Sequence, residues 1–210
     1  MEWFPGHDRK RIVDEAKAIL EKIGVFVEND EAVALLDNAG AKVEKGRVRI
    51  HADLVERALD TAPERILLYD RGGDVAMDLG EDRIHFNPGS AALRIFDPSI
   101  GDARTPVTAD VVRFVTLTDA LPAYAAQSTG LIPGDVPEEI ADRYRVYLGL
   151  LHSSKPIVTG TFRVEAFAPM HAMLSVAAGG DEALRKKPIA IFDCCPSPPL
   201  MWSDLTCQAL

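Results

Sequence analysis

KPIVTGTFRVEAFAPMHAMLSVAAGGDEALRKKPIAIFDCCPSP, residues 155–198, repeats one pattern at its two ends. Pro156-Ile157-Val158 and Pro188-Ile189-Ala190-Ile191-Phe192 read as short apolar strands. Each runs into a turn of small and polar residues, Thr159-Gly160-Thr161-Phe162 in one and Asp193-Cys194-Cys195-Pro196-Ser197-Pro198 in the other. Between them Met170, Met173, Leu174 and Ala177 recur at helical spacing, Pro169 marks a first turn or a kink, and Gly179-Gly180 closes the helix. Two strands joined through a helix of this length predict a parallel pair with a right-handed crossover.

The same beat extends toward the N-terminus. A strand from Tyr124 ends in Gln127-Ser128-Thr129-Gly130, and its helix is read with Ile140, Tyr144, Tyr147, Leu148 and Leu151 on the buried face. An earlier strand, Arg83 to Phe86, reaches Asn87-Pro88-Gly89-Ser90 and continues through residues 91–96. Its helix carries Val111, Phe114, Val115, Thr118 and Leu121, with Thr108 as the expected N-cap. The strand ends fall near residues 87, 127, 161 and 196, intervals of 40, 34 and 35 residues. The expected fold class is therefore α/β, a (β/α)8 TIM barrel of which this chain covers about the first four βα units. A whole barrel takes roughly 250 residues. Residues 81–210 are accordingly expected to be the first half of a barrel, a fragment or a half-barrel that pairs with something. Ser203 to Leu210 begins one more helix.

Residues 1–80 have a different grammar and are expected to form an α+β cap. Ile12, Ala16, Ile19, Leu20 and Ile23 lie on one helical face between the cap candidate Asp8 and the terminator Gly24. Asn29 or Asp30 opens a second helix that Gly40 closes, and a third ends before Pro63. Arg47-Val48-Arg49-Ile50 alternates like a short edge strand. Ile66 to Tyr69 and Asp74 to Asp78 read as strands on either side of Gly72-Gly73.

Composition narrows the function classes. The 210 residues are 47% hydrophobic and 26% charged, enough to bury a core, and carry a formal charge of -9. That sign argues against nucleic acid and against anionic membrane surfaces, and no apolar run approaches the ~20 residues of a membrane span. Met1 to Asp8 lacks the apolar region of a signal peptide, so a cytoplasmic location is expected. Cys194, Cys195 and Cys207 are read as reduced thiols. Their spacing matches no zinc motif, and no metal is expected. His7, His51, His85, His152 and His171 are scattered without ligand spacing.

In parallel α/β folds the chemistry sits at the C-terminal ends of the strands. That rule nominates Asn87, Gly89, Gln127, Thr129, Thr161, Phe162, Pro196 and Ser197, with Cys195 beside them, as turn residues that could face a substrate. Only Asp193 supplies a carboxylate at such an end and no histidine does, so hydrolytic acid–base chemistry has little support.

Several runs resemble the trimethylamine methyltransferase (MttB) family. They are Ala18 to Val25, AVALLDNAGAKV at 32–43, Arg47 to Ile50, and LVERALDTAP at 54–63. Further along come Thr118 to Pro122, Asp135-Val136-Pro137, Lys155 to Val158, Ala177 to Gly180, Glu182 to Arg185 and Cys195 to Leu200. The resemblance implies a (β/α)8 barrel and the movement of a methyl group from a quaternary or tertiary methylamine, trimethylamine or a glycine betaine-like donor, to the cobalt of a corrinoid. That cobalamin-type cofactor is carried by a partner corrinoid protein. The resemblance points to the glycine-betaine-type members without pyrrolysine, over their N-terminal half. Loss of methyl from a quaternary ammonium leaves a neutral amine that needs no proton, so the protein's task is to hold a cation in line with the cobalt. Phe86 and Phe162 become candidates for cation–π contacts. Asn87, Gly89, Gln127, Thr129, Thr161, Pro196 and Ser197 become candidates for shaping the substrate site. A homo-oligomer is expected. Two other readings stay open at this stage: a noncatalytic truncated barrel that binds a quaternary amine or a corrinoid protein, and a zinc-dependent barrel enzyme using the cysteines.

Overall fold

The computed structural model describes residues 4–210. Contacts divide the chain into two compact units, one of residues up to Pro63 together with Cys194–Leu210, the other Glu64–Asp193.

The first unit opens with helix α1 (Gly6–Lys22), whose N-cap is Pro5; Asp8 lies in the first turn. Strand β1 (Val25–Val27), helix α2 (Asp30–Asn38), strands β2 (Lys42–Glu44) and β3 (Arg47–Arg49), and helix α3 (Ala52–Thr61) follow. Asn29 caps α2, its side-chain oxygen accepting from the N–H of Ala32 at 2.8 Å. Strand β3 lies between β1 and β2 and pairs antiparallel with both, so it is a central strand and not the edge strand its alternation suggests. Alternation reports that one face is buried; it says nothing about how many neighbours the backbone has. Val48 carries that buried face, packed with Val25, Val27, Ala41 and Ile50 under Leu20, Leu36, Leu54 and Val55. Gly24 has φ +76, and a Cβ there would stand 2.5 Å from the carbonyl oxygen of Val48.

The second unit begins with an antiparallel hairpin, β4 (Ile66–Tyr69) and β5 (Val75–Leu79). A second hairpin, β6 (Ile95–Asp97) and β7 (Asp102–Arg104), precedes helix α4 (Thr108–Ala120). Then come β8 (Gln127–Ser128), α5 (Ala141–His152), β9 (Ile157–Thr159), α6 (Phe167–Ala178), α7 (Asp181–Lys186) and β10 (Ala190–Phe192). The three strands of this run form one parallel sheet in the order β10-β9-β8. Gln127 pairs with Ile157 and Ser128 with Val158, while Val158 pairs with Ile191 and Thr159 with Phe192. One face is covered by helices: Ile157 and Ile189 pack with Val146, Leu150, Ala166, Met170 and Leu174. On the other face Leu68 and Met77 of the first hairpin meet Ala126, Val158 and Ile191. That hairpin is also tied at the start of the strands, since Tyr69 N–H donates to Pro188 O and Arg71 N–H to Ser154 O, both at 2.9 Å. Its contacts therefore lie within Glu64–Asp193, although the sequence groups it with residues 1–80.

Segment Cys194–Leu210 completes the first unit: β11 (Met201–Trp202) pairs parallel with β1, and α8 (Asp204–Ala209) is capped by Ser203. Among the described residues no helix is long and apolar enough to cross a membrane.

Four further sequence expectations are corrected. Residues 83–86 form no regular strand. Phe86 makes a parallel bridge to Tyr124, the ladder is interrupted where Pro88 has no N–H to give and Gly89 takes φ +80, and Ala92 then bridges in parallel to Leu131. Thr108 does not cap α4. Its N–H and hydroxyl donate to Asp135 Oδ1 at 2.8 and 3.1 Å, and the N-cap Val107 N–H is met by Asp110 instead. Tyr147 and Leu151 are 46% and 54% exposed, because α5 turns Asp142, Arg145, Val146 and Gly149 inward. The fourth strand ends at Phe192, short of Pro196.

Gly24→Ala forces a Cβ into a backbone oxygen at a left-handed φ, and should cost roughly 2 kcal/mol or more in urea unfolding. In the second hairpin Asp97 accepts from the Ser99 hydroxyl and from Arg104 Nε, each at 2.6 Å. Ser99 first and Arg104 second hold its carboxyl at about 2, below the ordinary 3.8. A carboxyl lowered on folding stabilises above its ordinary value and loses that contribution as pH falls toward the folded one. Asp97→Asn should therefore flatten the decline in stability between about pH 4 and pH 2 while changing little of its dependence above pH 5.

Candidate active site

Parallel pairing brings the C-terminal ends of β8 and β9 to one edge, and most of the nominated residues of the second unit gather there. The segment 87–92 runs beside the end of β8, with Ala91 N–H donating to Thr129 O and Ala92 N–H to Gly130 O. Asn87 is exposed and folds back through an Asx turn, its Oδ1 accepting from Gly89 N–H at 2.9 Å. The carbonyl of Gly89 accepts the hydroxyl of Ser128, a residue the sequence reading passed over. Phe86 and Phe162 are 63% and 50% exposed.

Strand alternation sends neighbouring side chains to opposite faces, and this separates the candidates. Gln127 is fully buried and points to the helix layer, where its Nε2 donates to Val115 O of α4 at 2.8 Å. Thr129 also turns inward, its hydroxyl 3.3 Å from that of Thr159. Ser128 shares the opposite face with Val158. Pro196 and Ser197 belong to the first unit; there Ser197 exchanges backbone hydrogen bonds with Met201 in a tight reversal. Asn87, Gly89 and Ser128 thus meet along one line, with Thr161 and Phe162 after the next strand, while Phe86 lies ahead of β8 beside Tyr124.

The arrangement contains two charged residues that periodicity hid. Asp142 and Arg145 stand three apart on α5 and are 1% and 3% exposed. Asp142 Oδ2 accepts from Thr161 Oγ1 at 2.8 Å and from Phe162 N–H at 3.3 Å, while its Oδ1 accepts from Arg143 N–H at 2.7 Å. Arg145 Nη1 donates to the carbonyl of Thr129 at 2.7 Å, and its guanidinium carbon lies 4.9 Å from the centre of the Phe162 ring. Burial lowers the Arg145 pKa to about 10, with Asp142 opposing the shift, so the group remains protonated at neutral pH. One α-helical turn therefore fastens the end of β8 and the loop after β9 together. Gly160 in that loop is close-packed, since a Cβ would stand 2.8 Å from the carbonyl oxygen of Asp193.

Two other concavities lie elsewhere. A groove of about 410 Å³ between α5 and α6 is lined by Leu150, Leu151, Met173 and Val176, and one of about 390 Å³ by Arg71, Gly73, Lys187 and Ile189. Both share Arg71, whose backbone is held at the start of β9, so they belong to the far end of the strands. Among the described residues no group of three or more His, Cys, Asp or Glu gathers as a metal site. Cys207 packs against the first unit's core, where burial pushes its thiol pKa up.

The family model described as trimethylamine methyltransferase (MTTB) matches residues 1–210. The chain belongs to the MttB family. It is 28% identical over 184 residues to the trimethylamine methyltransferase MttB of Desulfitobacterium hafniense, covering 87% of this chain and 37% of that protein. It is 25% identical over 202 residues to a glycine betaine methyltransferase of the same species, 96% of this chain and 42% of that one. It is 34% identical over 161 residues to the L-carnitine:corrinoid methyltransferase of Eubacterium limosum, 74% of this chain and 32% of that one. The chain thus spans between about a third and two fifths of the length of these curated relatives.

For an MttB-family chain the strand-end chemistry is of one kind: hydroxyls, an amide, aromatic faces and a buried guanidinium, with Asp142 already committed to three donors. Asp142→Ala would leave Arg145 without its neighbouring countercharge and the Phe162 N–H without its acceptor, while the Thr161 hydroxyl keeps the carbonyl of Arg163 at 2.6 Å. The expected loss is roughly 3 kcal/mol in urea unfolding, with Asp142→Asn losing clearly less because it keeps an acceptor for Thr161 and Phe162.

Proposed function

We propose that this chain is part of a corrinoid-dependent methyltransferase that moves a methyl group from a quaternary or tertiary methylamine to the corrinoid of a partner protein. The family match over the full 210 residues carries the reading. The donors named for the relatives, trimethylamine, glycine betaine and L-carnitine, give the substrate class. In the same proposal β8, β9 and β10, parallel neighbours in chain order, are strands of a (β/α)8 barrel whose first strand is the segment bridged at Phe86, with the residues before 81 as its cap.

The donor set at the strand ends fits a reduced-cobalt acceptor in one specific respect. A bound corrinoid supplies the nucleophile that accepts the methyl group, and the amine that departs from a quaternary ammonium is neutral, so the protein need not deliver a proton. Asp142 and Arg145 do not form an acid–base pair; they hold the loop after β9. What remains is orientation: Asn87, Ser128 and Thr161 offer neutral hydrogen-bonding groups, and the half-exposed ring of Phe162 gives an apolar wall against which methyl groups can pack. Gln127 and Thr129 would serve from behind, by fixing α4 and α5 to the end of β8.

The gene product purified from its host, given chemically reduced cobalamin and each of trimethylamine, glycine betaine and L-carnitine, should form methylcobalamin with at least one donor, read from the visible spectrum. No methylcobalamin with any of them, in a preparation that methyl iodide still methylates, would contradict the proposal.

A further inference from the structure

Arg145 is an anomaly. It is 3% exposed, yet among the described residues no carboxylate stands within ion-pair distance of its guanidinium. Asp142, three residues away, gives its oxygens to Thr161, Phe162 and Arg143 instead. Nη1 is satisfied by the carbonyl of Thr129, but Nε is buried with no hydrogen-bond partner. A buried donor left unmatched is uncommon and calls for an acceptor from a protein group, a water or a ligand; among the described residues the other buried side-chain atom without a partner is the acceptor Gln127 Oε1, on the helix side of β8. The bond to Thr129 occupies one corner of the guanidinium, so the Nε–Nη2 edge is the one left over. That edge is the planar fork that receives both oxygens of a carboxylate. The ring of Phe162, itself half-exposed and on the loop that follows β9, lies over the guanidinium, with the carbon 4.9 Å from the ring centre.

We infer that Arg145 is the carboxylate-binding residue of this site: when the Phe162 ring turns aside, the guanidinium edge pairs with the carboxylate of a zwitterionic methylated amine and selects such donors over cations that lack one. The inference rests on the methyl-transfer reading above and assigns a specificity residue within it. Two features support it. A cation beside the site repels a bare ammonium and attracts a carboxylate, so its contribution separates betaine-type donors from simple methylammonium ions. Asp142 balances the buried charge in the unliganded state without occupying the fork, which leaves the fork available when a ligand arrives. Phe162 then acts as the cover of an anion subsite. With a guanidinium already on one face, its ring is a poorer seat for the substrate's ammonium than an unoccupied phenylalanine would be.

The test is titration calorimetry with glycine betaine and with choline, which keeps the trimethylammonium group and replaces the carboxylate by a hydroxymethyl group. The unmodified protein should bind betaine at least about tenfold more tightly than choline. Arg145→Gln should weaken betaine by about tenfold or more and leave choline within about twofold. Arg145→Lys, which keeps the charge but not the planar fork, should lose part of the betaine affinity with circular dichroism unchanged, and keeps the test decisive if the glutamine variant does not fold. Equal losses for both ligands, or none for either, would overturn the assignment. Methyl transfer from trimethylamine separates the two levels. If it persists while betaine and choline respond alike to Arg145, only this inference falls; if no donor is demethylated, the reading beneath it falls as well.

Discussion

Parallel pairing of β8, β9 and β10 is the constraint from which the second unit follows. Parallel neighbours cannot be joined by a tight turn, so each pair needs a helix that travels back along the sheet, and α5 and α6 are those returns. Because every strand runs the same way, every strand-to-helix loop emerges at the same edge. The alternation of side chains then divides labour along each strand. Ile157 and Ile189 pack against the helices on one face, and Val158 and Ile191 meet the first hairpin on the other. Ser128, not Gln127 or Thr129, is the residue of β8 that reaches toward the loop of Asn87 and Gly89.

The edge so formed would be soft without the first turns of α5. Burying Asp142 and Arg145 takes two charges out of water, a cost that close-range attraction and hydrogen bonds only partly offset. The structure uses those charges to hold backbone: the carbonyl of Thr129, the N–H of Phe162 and the hydroxyl of Thr161. An apolar pair of similar size would pack as densely but could not fix these polar groups, and the loop after β9 would lose its orientation. An active-site wall made of loops depends on such rigid attachments for its precision.

Much of the framework was legible in the sequence because it rests on local rules. The parallel strands at Ile157 and Ala190, the helix carrying Met170 and Leu174, the cap at Asn29 and the left-handed Gly24 and Gly179 each announce themselves within a few residues. What was misread depends on distant partners. Val48 looked like an edge because a strand's second neighbour leaves no trace in its own pattern. The charged Asp142 and Arg145 were passed over because helical periodicity assigns charge to solvent, and only the strand ends, 16 to 20 residues away, give these two side chains something to bind. Ser128 was missed for the opposite reason: its neighbours Gln127 and Thr129 look more reactive, yet the pleat sends them to the helix layer. The Arg83–Phe86 segment carries a strand-like composition, and what its own pattern does not show is that Pro88 and Gly89 break the ladder between the parallel bridges at Phe86 and Ala92.

The claim on which all of this converges is that methylated amines bind at the C-terminal edge of β8 and β9. Amide chemical-shift mapping during titration with glycine betaine tests it directly. The largest shifts should fall on Gly89, Ser128, Thr161 and Phe162, with Arg145 following. Shifts concentrated instead on Leu150, Met173 and Val176 at the far end of the strands, or none at saturating ligand, would contradict it.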